Sequence, residues 1–236
     1  MIQSYQFQLS TSMPANAAYP LYAAMLGQAP KDFATMLHES SFTPISQHVC
    51  GDIWRVSLFD SSSINTLSPV LESLNHVFLR REQKHLELRL NTVRTIDSVD
   101  ELLNSAVPDH GVLSFQTPTA FKSAGSYQLL PTQRLLMQSL LLKWNGYFGD
   151  ICPIEDDGGG LEALSEGLCY RSIHLDSQEY TMKHIRIPGI VGEIDFDNRL
   201  SGFHRQLSNA LLTFGSYSGI GIKTALGMGG LQIKMK

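Results

Sequence analysis

The sequence predicts an α+β protein made of two successive units of the same kind. Three observations carry this. Short stretches alternate apolar and polar residues with the period of a half-buried strand. Apolar stripes of helical spacing lie between them. The order of the two signals in the first hundred residues recurs in the rest of the chain. The 236 residues are 43% apolar, enough for true cores and for one large domain or two smaller ones.

The first unit opens with Tyr5, Phe7 and Leu9 alternating with Gln6 and Gln8, which predicts a strand. Residues 15–26 and 31–38 have helical composition, broken at Gly27-Gln28-Ala29-Pro30. Two strands are expected at 42–49 and 53–59, with Gly51-Asp52 as the turn between them. Ser68-Pro69 suits a helix start, followed by a stripe of Val70, Leu71, Leu74, Val77 and Phe78. Leu86, Leu88 and Leu90 then alternate with Glu87, Arg89 and Asn91 in a strand over 85–95. The order is β-α-β-β-α-β, the ferredoxin-like (RRM-like) arrangement.

The second unit repeats the order. Strands are expected at 112–115 and 127–130, and Thr132 can cap a helix whose apolar face is Leu136, Leu140, Trp144 and Phe148. An acidic, glycine-rich loop occupies 150–162, with Asp156-Asp157 read as solvated. Strands near 168–176 and 190–197 precede a helix with Phe203, Leu207, Leu211 and Phe214 on its core face, and Leu231, Ile233 and Met235 form a last strand. The predicted domains are therefore residues 1–100 and 110–236, related by their pattern of elements rather than by repeated residues.

Composition narrows the function classes. No apolar run approaches the ~20 residues a membrane helix needs. The N-terminus MIQSYQFQLS lacks the pattern of a signal peptide, and three widely spaced cysteines (Cys50, Cys152, Cys169) suggest neither a disulfide framework nor a zinc cluster. A reduced cytoplasmic protein is the expectation, with the cysteines small and buried. The net charge of -4 argues against a nucleic-acid partner, but it is unevenly spread. Residues 150–197 hold 3 basic and 11 acidic side chains, whereas residues 198–236 hold 5 basic ones (Arg199, Arg205, Lys223, Lys234, Lys236) and no acid. Such asymmetry points to an interaction surface. A smaller basic cluster comprises Arg80, Arg81, Lys84, Arg89 and Arg94.

The densest glycine segment is FGSYSGIGIKTALGMGG, residues 214–230. Glycines allow positive φ and close approach of a ligand to the amides, and successive amides can form an anion-binding nest. Lys223 and Thr224 add a charge and a hydroxyl suited to phosphate. The segment fits neither a Walker A loop, because Ile222 separates Gly221 from Lys223, nor a dinucleotide fingerprint, because a helix precedes it and a strand follows. An oligonucleotide backbone is the ligand class that suits it best. Tyr217 is a candidate for stacking on a base, whereas Trp144, Tyr147 and Phe148 are core by their helical spacing.

The loop with its flanks, GIGIKTALGMGG after a helix, resembles that of the CRISPR-associated repeat-processing endoribonucleases of the RAMP superfamily. TPTAFK (117–122), YQLLP (127–131) and LLMQSLLLKWN (135–145) resemble the same family, as does the segment around Leu37-His38-Glu39 and Phe42-Thr43-Pro44-Ile45-Ser46, where the family carries its catalytic histidine. The resemblance implies two ferredoxin-like domains, CRISPR repeat RNA as substrate, and one metal-independent cut per repeat leaving 2′,3′-cyclic phosphate and 5′-hydroxyl ends. No cofactor is expected.

That reaction needs a base for the ribose 2′-hydroxyl, an acid for the departing 5′-oxygen and positive charge for the phosphate. Histidine suits either proton-transfer role. His38 is the preferred candidate because it closes the first helical segment and matches the family position; His48, beside the Gly51 turn, is the runner-up. Gly219, Gly221, Lys223, Thr224, Gly227 and Gly229 are the candidate phosphate contacts, with His204 and Arg205 on the polar side of the preceding helix. Metal ligation has no support: no histidines lie three or four residues apart. The partner of His38 cannot be named. Two other readings stay open: a non-catalytic RNA-binding subunit of a CRISPR interference complex, and a ferredoxin-like module unrelated to RNA. Expected partners are repeat RNA and, left open, interference-complex subunits and a second copy of the chain.

Overall fold

The computed structural model describes residues 1–39, 42–79, 83–155 and 158–235, without the side chains of His38 and Glu39. In chain order the first half contains β1 (Ile2–Met13), α1 (Ala18–Leu26), α2 (Lys31–Glu39), β2 (Ile45–Leu58), α3 (Ser61–Ser73), β3 (His76–Leu79), β4 (Lys84–Ile96) and α4 (Val99–Leu103). The second half contains β5 (His110–Thr119), β6 (Phe121–Ser123), β7 (Ser126–Gln128), α5 (Gln133–Phe148), α6 (Gly160–Gly167), β8 (Leu168–Met182), β9 (Ile185–Asn198), α7 (Gly202–Ser218) and β10 (Leu231–Met235).

Two four-stranded antiparallel sheets result, in the orders β2-β1-β4-β3 and β10-β5-β9-β8. The second is the full ferredoxin-like order: the unit's first and third strands are central and its fourth lies beside the first. In both halves the alternation seen in the sequence sends one strand face inward. Tyr5, Phe7 and Leu9 are buried with Leu21, Met25, Trp54 and Leu67. Leu113, Phe115, Ile194 and Phe196 are buried with Leu136, Leu140, Trp144 and Phe214. The second cluster also takes in Ile2, Phe59, Ile96 and Leu102 from the first half, so the halves share apolar contacts.

Several expectations are corrected. The Gly51-Asp52 turn does not form: β2 runs straight through it. A two-residue type I′ hairpin needs positive φ at both residues, and only Gly51 (φ 62°) has it. Gly51 instead marks a register shift against β1, between Gln8↔Ile53 and Met13↔Gly51. The next helix starts at Ser61 rather than Ser68, because Asp60 Oδ1 accepts the Ser63 amide hydrogen (2.6 Å) and caps it, leaving Pro69 inside. Val77 and Phe78 belong to β3, not to that helix. Residues 126–128 pair with β6 in a separate small hairpin outside the main sheet. Part of the 150–162 loop is helical from Gly160, and Asp156 and Asp157 lie outside the described residues, as do Arg80 and Arg81 of the smaller basic cluster. Cys50 is exposed, and Cys152 and Cys169 are half-buried.

Candidate functional site

Helix α5 is the ruler along which the site can be read. Ser139, Lys143, Gly146 and Tyr147 fall at i, i+4, i+7 and i+8, one face of the helix. Ser139 Oγ accepts the Gly221 amide hydrogen (2.8 Å), and Lys143 Nζ donates to Thr224 Oγ1 (2.8 Å). One turn further on, Tyr147 donates its hydroxyl hydrogen to the Thr43 carbonyl (3.1 Å) and its ring meets Phe42 edge-on at 4.6 Å. The glycine-rich loop and the segment that follows α2 therefore dock on the same side of α5. Their anchors, Lys143 and Tyr147, are about 6 Å apart along its axis. Four peptide units separate Phe42 from His38, at most about 14 Å of chain. The end of α2 is thus tethered beside the loop; the His38 side chain itself lies outside the described residues.

The loop leaves α7 at Gly219, passes through a 3-10 turn at Thr224–Leu226 and enters β10 at Leu231. Its glycines answer to packing. At Gly221 and Gly229 the backbone has φ of 74° and 73°, and a Cβ would run into the carbonyl oxygens of Ala120 and Ile220. Their amides are already engaged: Gly221 to Ser139, Gly229 to the Pro118 carbonyl (3.1 Å) and Gly227 to the Thr224 carbonyl (3.5 Å). The expected phosphate nest is therefore corrected at Gly221 and Gly229, whose N–H groups hold the loop to the protein, and at Gly227, whose N–H closes the loop's own 3-10 turn. Gly219 is buried, and Thr224, also buried, accepts from Lys143. Lys223 is exposed, in the left-handed region (φ 54°), and pairs with no carboxylate among the described residues.

His48 is corrected as a proton-transfer candidate. It is buried in β2 against the loop, where a Cβ on Gly230 would lie 2.8 Å from its ring. Burial, reinforced by the charge of Arg55, pushes it down to about 4, so it is a neutral packing residue at physiological pH. Its Nε2 has no hydrogen-bond partner. His204 and Arg205 lie in the first turn of α7, about 20 Å of helix away from the loop at its other end. Arg205 is ion-paired with Asp109. The structure does not bring this pair to the loop. Tyr217 is half-buried with Arg94 5.8 Å over its ring, so that face is already covered.

The charge asymmetry is cancelled in space. Lys234 of β10 pairs with Glu193 of β9 (2.6 Å) across the intervening β5, Arg199 approaches Asp197 (4.0 Å) and Arg205 pairs with Asp109. Asp197, hydrogen-bonded by His110 (2.6 Å) and facing Arg171 (3.1 Å), is held below the usual carboxylate range. Lys236 lies outside the described residues. Of the described cations in the C-terminal run, Lys223 is the one without a carboxylate partner among the described residues.

Sequence reasoning missed the residues that hold the loop. Gln47 is buried and donates to the carbonyls of Ala18 and Ala225 (both 3.1 Å), while Trp54 Nε1 donates to its Oε1 (2.8 Å). Tyr180 of β8 donates to the Leu226 carbonyl (2.5 Å). Lys143 is buried, and that burial alone pushes it down to about 8. Lys143 left a signal: it stands three residues after Leu140, on the apolar face of α5.

Comparison with known proteins agrees with this architecture. Over 224 residues the chain is 29% identical to a CRISPR-associated endoribonuclease Cas6 of Streptococcus thermophilus, covering 92% of this chain and 91% of that protein. A Cas6 solved as a product complex superposes over the whole of both chains with a TM-score of 0.77 at 22% identity. A Thermus thermophilus Cas6 superposes with a TM-score of 0.70 at 24% identity, over 99% of this chain and 98% of that one. The family model for the CRISPR-associated endoribonuclease Cas6 matches residues 113–231, half of the sequence, from β5 through the glycine-rich loop into β10; the chain belongs to that family.

Proposed function

We propose that this protein cuts CRISPR repeat RNA once per repeat, without a metal ion, by attack of a ribose 2′-oxygen on the adjacent phosphate. The observation that carries this reading is the joint docking of the glycine-rich loop and of Phe42 and Thr43, four and five residues after His38, on one face of α5, in a chain of the Cas6 family. His38 takes the 2′-hydroxyl proton or returns one to the departing 5′-oxygen, because imidazole exchanges protons near neutral pH. The 2′-oxygen bonds to phosphorus as the bond to the 5′-oxygen breaks, giving a 2′,3′-cyclic phosphate and a 5′-hydroxyl. Lys223 supplies positive charge to the crowded phosphate. In this reading residues 1–100 carry the proton-transfer group, residues 110–236 carry the RNA-binding loop, and the enzyme works in the cytoplasm.

The test is cleavage of the cognate CRISPR repeat RNA in EDTA, by wild type and by His38→Ala. Wild type should cut and the variant should bind without cutting. Full activity in the variant removes His38 from the reaction, and loss of wild-type activity in chelator refutes the metal-free route. A 2′-deoxy substitution before the scissile phosphate should abolish cutting. Tight binding without cleavage by wild type would assign the non-catalytic role instead.

A further inference from the structure

His38 is bracketed in the chain by anchors in both halves of the protein. Before it, Phe33 and Leu37 of α2 are buried in the core of the first half. After it, three consecutive residues are each held from outside their own segment. The Phe42 ring packs on α5, Tyr147 of α5 donates to the Thr43 carbonyl (3.1 Å), and the Pro44 carbonyl accepts from the Phe59 amide (3.1 Å).

The α5 side of this clasp is built in advance. The Tyr147 ring stacks on Phe59 at 4.0 Å and 12°, and Phe214 of α7 meets it edge-on at 6.0 Å. Its hydroxyl is therefore aimed by packing that does not involve Thr43. Burial, reinforced by the charge of Asp60, pushes that hydroxyl well above the ordinary phenol range, so it stays a donor throughout neutral pH. Gly146 supplies the second part. A glycine inside a helix costs stability relative to alanine, and Gly146 has no positive φ that would call for one. What it makes room for is Phe42: a Cβ on Gly146 would stand 2.5 Å from the tip of that ring. The same helix holds the glycine-rich loop through Ser139 and Lys143, about two turns and one turn before Tyr147. One stiff element thus sets the chain just after His38 against the loop that carries Lys223.

We propose that Tyr147 and Gly146 are positioning residues for RNA cleavage: the hydroxyl that holds Thr43 and the notch that seats Phe42 fix the chain after His38 relative to the glycine-rich loop. They act through that chain, not by contact with the reacting atoms. The proposal rests on the reading that His38 transfers a proton in the cleavage of repeat RNA.

The experiment measures single-turnover cleavage over a range of enzyme concentration, and the dissociation constant of a 2′-deoxy-blocked repeat RNA. The proteins are wild type, Tyr147→Phe, Gly146→Ala and the double variant Gly146→Ala with Phe42→Leu, with thermal melts to confirm that each is folded. Tyr147→Phe keeps the stacked ring and removes only the hydroxyl; Gly146→Ala displaces Phe42 from the other side of the clasp. Each should lower the maximal cleavage rate about 10- to 100-fold, the effect of a misplacement of about 1 Å, while affinity changes less than about 2-fold. Phe42→Leu shortens the side chain that the new methyl meets, so the double variant should recover most of the rate. The pH–rate profile of Tyr147→Phe should keep the wild-type shape at a lower height. Loss of one limb would make Tyr147 itself a proton donor and overturn the positioning role. If both folded single variants cut at the wild-type rate while His38→Ala does not cut, the positioning role is refuted and the RNA-processing reading stands. A loss confined to affinity refutes it too, as does a double variant no faster than Gly146→Ala. If His38→Ala cuts as wild type does, the reading of His38 fails and the positioning role falls with it.

Discussion

Replacing Lys143 by methionine should flatten a pH dependence that a buried lysine imposes on stability. Lys143 Nζ sits under the glycine-rich loop with Thr224 Oγ1 at 2.8 Å, no carboxylate pairs with it among the described residues, and burial pushes it from 10.5 down to about 8. Below pH 8 both the folded and unfolded chains carry the proton, and the folded chain bears the full cost of a desolvated charge. Between pH 8 and 10.5 the folded chain has released the proton and the unfolded chain has not, so stability rises with pH. From pH 7 to 9.5 the rise attributable to Lys143 is about 2 kcal/mol. Trp54 and Trp144 are both fully buried, so urea unfolding followed by tryptophan fluorescence reports the transition. The difference between wild type and Lys143→Met cancels the other titrations, including the tyrosines whose ionisation burial suppresses. The Lys143→Met variant should be at least as stable as wild type at pH 7, because it replaces a buried charge with an apolar side chain of similar length. A difference that stays flat from pH 7 to 9.5, or runs the other way, refutes the reasoning.

Four further outcomes are expected. His48, neutral in the fold and pushed down to about 4, contributes stability that is lost as pH falls from 6.5 to 4; His48→Asn should remove up to about 3 kcal/mol of that acid sensitivity in urea titrations at pH 7 and pH 4. Gly229→Ala puts a methyl against the Ile220 carbonyl at positive φ and should lower the unfolding free energy by about 2 kcal/mol or more, seen as a lower melting temperature. Lys223→Gln should weaken repeat-RNA binding and reduce the salt slope by about one, as filter binding over a range of salt would record. Arg205→Ala, which breaks only the pair with Asp109 far from the loop, should leave RNA affinity unchanged in the same assay.

Most of the second half was legible in the sequence because its signals are local. Thr132 caps α5 through the Leu135 amide as its side chain suggested, and the Leu136, Leu140, Trp144 and Phe148 face is buried as its spacing required. The first half was less legible where one residue supports two local outcomes. Gly51 permits a turn or a continuous strand, and the pairing of β2 with β1 on both sides of it selects the strand. Asp60 and Ser68 are both competent caps, and the chain uses the earlier one. At the site, the glycine-rich loop was visible, but a run of glycines signals close approach without saying to what. In the fold the approach is to the carbonyls of Ala120 and Ile220.

The sequence by itself determined the two α+β units, the faces that form their cores, and the glycine-rich stretch of residues 214–230. Hydrophobic period, capping side chains and glycine density are properties of neighbouring residues, so they can be read without coordinates. The tertiary structure decided what depends on residues far apart in the chain. It set Asp197, Glu193 and Asp109 against the C-terminal cations, leaving Lys223 without a carboxylate partner among the described residues. It buried His48 and Lys143 and so moved their proton affinities, and it opened a groove between α1 and a hairpin from the other half of the chain. Charge pairing, desolvation and concavity arise only when distant segments meet.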